Sequence, residues 1–219
     1  MAHAVPAAHE AAGAHGVGHA STSTGLSNAK LGMWAFLGSE CLLFGALISS
    51  YILYRGRAVP GTKVPHDVYD IPYTSVSSFV LLMSSLTMVL ALAAIQRGEQ
   101  ERLRAWLMAT ALLGMTFVAG QVYEFTAFVK EGLSIKSNAA TSAFFTLTGF
   151  HGAHVTIGIL MLLSLFGMSL DGRLPTERSE VVELVGLYWH FVDIVWIVIF
   201  TVVYLIPTAG MTCPTPVGG

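Results

Sequence analysis

Charged side chains make up only 11% of this 219-residue chain, against 54% hydrophobic residues, where soluble domains average about 25% charged. That shortage excludes an ordinary soluble domain, which would have to hide several apolar runs of about 20 residues in one core. The net charge of −2 offers no basic excess for nucleic acid. Cysteine is nearly absent: Cys41 falls inside an apolar run and Cys213 near the C-terminus. Neither a disulfide framework nor a cysteine metal site is therefore expected. No Lys or Arg precedes Lys30 and no unbroken apolar stretch occurs there, so the segment is expected to stay on the protein rather than act as a secretory signal peptide. No internal repeat of the transporter kind is present either.

What the chain does have is apolar length. Residues 1–28, rich in Ala, Gly, Ser and Thr and carrying His3, His9, His15 and His19, read as a flexible tail. Residues 208–219 read as a short C-terminal tail. Between them, 29–207 read as an all-α membrane bundle with transmembrane helices over 31–54, 72–96, 105–129, 139–170 and 183–206. Each run is long enough to cross a hydrocarbon core of about 30 Å at a rise of about 1.5 Å per residue. Five spans put the termini on opposite sides. Lys30, Arg97, Arg102, Arg104, Arg173 and Arg178 gather on one side; Arg55, Arg57, Lys63, Lys130 and Lys136 lie on the other. The margin favours a cytoplasmic N-terminus and an external C-terminus.

Ionisable groups inside a span are costly unless paired or buried against protein, so each marks a contact. Glu40 falls near mid-bilayer in the first span. It reads either as a proton-carrying acid or as a neutral acid that pins helices, lipid or water. Glu124, with Gln121 and Tyr123, breaks the third span and lies close enough to Lys130 to be interfacial. His151 and His154, at i and i+3 in the fourth, stand among Gly149, Gly152, Ala153 and Gly158, small residues that let another backbone approach. Inter-helix hydrogen bonding is the expectation there, with shared metal or haem ligation as the other reading. Glu183, Gly186, His190 and Asp193, at spacings of three, four and three, line one face of the last span beside Tyr188, Trp189 and Trp196. That face needs a partner. His190 and Asp193 could pair with each other or face a neighbouring subunit, and Glu183 suits the helix start, where a carboxylate complements the macrodipole. Trp34 and Trp106 read as interface anchors.

The stretch YWHFVDIVW, with GFHGAHVTIG at Gly149–Gly158 and LGSECLLFGALISSY at Leu37–Tyr51, resembles subunit III of the haem–copper terminal oxidases. QVYEF at Gln121–Phe125 and Glu183, seven residues before His190, match as well. The likeness covers about Leu31 to Leu205 and fits the five-helix bacterial form. It implies a subunit of a proton-pumping oxidase of aerobic respiration, in the bacterial cytoplasmic membrane, with no cofactor of its own. Haem and copper would lie in partner subunits and phospholipid would bind here, with Glu40 at the family's lipid-cleft acid. Partners would be the haem-bearing subunit I, other oxidase subunits and membrane lipids, within a larger respiratory assembly. Glu40, Glu124, His151, His154, Glu183, Tyr188, Trp189, His190 and Asp193 would support structure, lipid or proton uptake, with no catalytic residue. Glu40, where some quinol-using relatives carry Asp, tilts the donor towards cytochrome c, with quinol as the alternative.

Two other classes compete. A stand-alone proton-coupled transporter would use Glu40, Glu124, His151 and Asp193 as a relay, and a b-type cytochrome would use a histidine pair on haem. The missing repeat argues against the first. For the haem–copper chemistry itself, three intramembrane histidines (His151, His154 and His190) are too few.

Overall fold

A computed structural model describes residues 27–55, 71–130 and 138–206. Apart from Ser27 and Asn28, the 1–28 tail with its four histidines lies outside them, as do the 208–219 tail and Cys213. Five long helices account for nearly all of it: α1 Asn28–Arg55, α2 Ile71–Gln96, α3 Gln100–Lys130, α4 Ala139–Leu170 and α5 Ser179–Phe200. One 3₁₀ turn, Thr176–Arg178, precedes α5, and a wider π-turn, Thr201–Leu205, extends it. All five helices are long and apolar enough to cross a membrane. The chain is an integral membrane protein, with five spans among the described residues.

The turns are built by local chemistry. α2 ends where Gly98 takes φ +74°. The Gly98 amide returns to the Ile95 carbonyl and the Glu99 amide to Ala94, at 3.0 and 2.9 Å. This double closure satisfies carbonyls that helix ends otherwise leave unbonded. Gly172, at φ +67°, repeats it after α4, with Gly172 on Ser169 and Arg173 on Met168. At the other end, Asn138 starts α4 by accepting from the Thr141 amide at 2.7 Å.

α2, α3 and α4 pack in chain order, α5 lies against α2 and α4, and α1 rests on α4 and α5. Within lipid, association depends on close packing and inter-helix hydrogen bonds rather than on the hydrophobic effect. Trp189 shows both. Its ring lies between α3 and α4, where a Cβ on Gly114 would stand 2.6 Å from its Cη2 and one on Gly158 2.8 Å from its Cε3. Its Nε1 donates to Ser84 Oγ on α2 at 3.0 Å. Two turns on, Trp196 Nε1 donates to Ser78 Oγ at 2.8 Å, and its ring meets Phe117 edge-on at 4.8 Å. The expectation for the small residues of α4 needs correcting: they admit side chains rather than a backbone. Gly158 receives Trp189, Gly152 lies under the Gln121 amide, and Gly149 faces open space.

α1 is held differently. It buries Leu37, Phe44 and Tyr51, seven apart, and leaves most of its surface outward, including Leu42 and Trp34. Trp106 is half-buried against the core.

Replacing Gly158 with Val should overpack the Trp189 slot and lower stability by about 1–3 kcal/mol. Gly149→Val, on the same helix but facing open space, should change little. Thermal midpoints of the two variants in mild detergent test the difference.

Candidate functional site: the buried acids and imidazoles

Glu40 lies twelve residues into α1, about 18 Å from its start. Its carboxyl Oε2 is 3.2 Å from His154 Nε2 on α4, and both side chains are largely covered. His154 Nδ1 is 2.8 Å from the Phe150 carbonyl. A carbonyl only accepts, so Nδ1 carries a proton, and a neutral ring would then present a bare Nε2. The contact therefore holds one further proton, on the carboxyl or on the imidazole. Phe44 packs edge-on against the His154 ring at 5.1 Å. Tyr188 Oη donates to the His154 carbonyl at 3.1 Å, and its ring stacks on Phe36. α1, α4 and α5 thus meet at this pair.

His151, one turn away, behaves otherwise. It is fully buried, stacked on Trp196 at 4.9 Å with Phe117 and Phe44 edge-on. Neither ring nitrogen has a hydrogen-bond partner among the described residues. Among the described residues the inter-helix hydrogen bond expected of the pair is made by His154 and not by His151. Haem ligation by the two together would need His154 to give up Glu40, and the ring cage around His151 to open.

Glu124 lies six residues from the end of α3 and is buried at the meeting of three helices. Its Oε1 accepts from Thr74 Oγ1 on α2 at 2.8 Å and from Tyr204 Oη, in the π-turn, at 3.3 Å. Gln121, one turn before it, donates to the Thr148 carbonyl of α4 at 3.1 Å.

The face of α5 meets partners inside the chain. Gly186 lies against Met88 of α2, and His190 Nδ1 is 2.6 Å from Ser85 Oγ of α2. The His190–Asp193 pair does not form: Asp193 is 3% exposed, and neither carboxyl oxygen has a hydrogen-bond partner among the described residues. Glu183 is not at the helix start, because α5 begins four residues earlier at Ser179. It pairs with Lys30 of α1 at 2.9 Å, while Ser27 donates to Glu180 beside it. At the far end of α1, Arg55 donates to the Val202 carbonyl at 2.9 Å and to that of Ile206.

Sequence reasoning passed over the hydroxyls of α2, a span without charge. Thr74, Ser78 and Ser85 stand four and seven residues apart, which is one helical face. That spacing was the available signal; Ser84 beside it serves α5 as well, and Thr87 meets Thr110 of α3 at 2.8 Å.

The family model for cytochrome c oxidase subunit III matches residues 8–208. The chain belongs to that family. Quinol oxidase subunit 3 of Bacillus spizizenii is 37% identical over 181 residues, 83% of this chain and 88% of the relative. Cytochrome c oxidase subunit 3 of Bacillus sp. PS3 is 36% identical over 183 residues, 84% and 88% of the two chains. Cytochrome bo(3) ubiquinol oxidase subunit 3 of Pseudomonas aeruginosa is 37% identical over 200 residues, 89% and 93%. The role of the chain is that of subunit III in a respiratory terminal oxidase, and family membership decides against a stand-alone transporter.

A double-mutant cycle of Glu40→Gln and His154→Gln should give a coupling of about 0.5–3 kcal/mol, since the two share one proton and one contact. Additive thermal midpoints would show that the contact does not hold in solution.

Proposed function

We propose that this chain is a non-catalytic subunit that packs on the haem-bearing subunit I, retains phospholipid beside it and keeps its proton entry open. Haem and copper belong to the partner subunits. The observation that carries the reading is Glu40–His154, a proton-holding pair at mid-membrane whose two groups are satisfied by each other. With Lys30–Glu183 below it and Arg55 on the C-terminal turn above, it staples α1 to the bundle at three depths. A rigid frame of this kind suits a support role, because the described residues enclose no substrate-sized polar chamber. The N-terminal end is read as cytoplasmic, in line with the basic residues gathered there.

The donor reading carried by Glu40 is cytochrome c. Quinol is the second reading: two relatives named for quinol oxidases are 37% identical to this chain, beside 36% for a relative named for cytochrome c oxidase. The donor docks on other subunits in either case. Purification through a tag on this chain should bring down a haem protein, and offering that preparation reduced cytochrome c and a quinol in turn identifies the donor. Glu40→Ala and Asp193→Asn should weaken assembly or shorten the working life of the enzyme while leaving its haem spectrum unmoved. A displaced spectrum in either variant would contradict the support role.

A further inference from the structure

His190 stands eleven residues into α5, about 16 Å from its start and so deep in the membrane. Ser85 occupies its Nδ1. No described residue bonds to its Nε2, and the side chain is partly exposed. Helical spacing sets Leu82, Leu86 and Val89 around Ser85, and Ile194 and Ile197 one and two turns beyond His190. These five are between 41% and 60% exposed. The α2–α5 face is thus an open apolar ring with an imidazole nitrogen in it. Asp193, three residues on, is buried beside the same Ser85 hydroxyl, so the capacity left open on this face is that of His190 Nε2.

The other outward faces are not like this. On α3 and α4 the outward hydroxyls turn back to their own helices, Thr116 to the Leu112 carbonyl and Thr156 to Gly152. Those surfaces suit acyl chains. Glu40, the other ionisable group at comparable depth near the surface, has His154. Acyl chains neither donate nor accept, so an imidazole nitrogen facing them is strongly unfavourable. A head group does not reach this depth, and a water would need two to four polar partners where the ring around it is apolar. A polar side chain on a transmembrane helix meets the need and covers the ring at once.

We propose that the α2–α5 face docks this subunit onto a transmembrane helix of another subunit of its oxidase, one that carries a hydrogen-bonding side chain to His190 Nε2. This rests on the chain working as part of an oxidase complex. The test uses the full complex in native membranes, with benzoylphenylalanine replacing Ile194 or Leu86, and replacing Leu160 on α4 or Val122 on α3 for comparison. Irradiation should join Ile194 and Leu86 to another oxidase subunit, identified by its peptides, while Leu160 and Val122 capture lipid. Lipid alone at Ile194 and Leu86 overturns the docking face even where haem co-purifies. His190→Phe should lower the haem recovered per tagged chain at least about five-fold, and His190→Gln should retain most of it. Equal recovery from both variants and the unmodified chain also overturns it. If the unmodified chain brought down no haem protein, the subunit reading beneath the proposal would fall first.

Discussion

Trp189 and Trp196 project from α5 two turns apart, and each indole donates to a serine of α2 while its ring fills space against α3 and α4. In a bilayer no water competes for the indole N–H, and lipid tails are as apolar as the rings. Packing against glycine and a satisfied hydrogen bond are therefore what hold the helices in register. Gly114 and Gly158 leave room for one ring only, so α3, α4 and α5 meet at a single depth. The positions of the polar side chains follow from that register.

Once the bundle is set, most of its acids and imidazoles find partners at home. Glu124 takes hydroxyls from α2 and the C-terminal turn, Glu40 takes His154, and Glu183 takes Lys30. α1, with few buried residues of its own, depends on such contacts more than the others do. Its polar attachments at Lys30, Glu40 and Arg55 lie near its start, middle and end. What the described residues leave open is Nε2 of His190 and the caged imidazole of His151.

Five spans were legible because hydropathy over 20 residues needs no tertiary information. The fourth, read as 139–170, coincides with α4, whereas the fifth begins earlier because Ser179–Val182 continue the helix before the longest apolar run starts. The polar residues were legible as a set but not as pairs. His190 and Asp193 are correctly spaced for each other on one helix, yet Ser85 on α2 takes the imidazole. Nothing in α5 alone contains that outcome. The hydroxyls of α2 were invisible for the opposite reason: serine and threonine scarcely alter the hydropathy of an apolar run.

The order of amino acids by itself determined the membrane class, the number of helices and, through family-like stretches around His154 and His190, the kind of assembly to which the chain belongs. Those are properties of composition and local pattern. Which helix each buried group addresses was decided only by the tertiary structure. A side chain's partner lies across a helix–helix contact, and that contact is fixed by how rings and glycines fit in three dimensions.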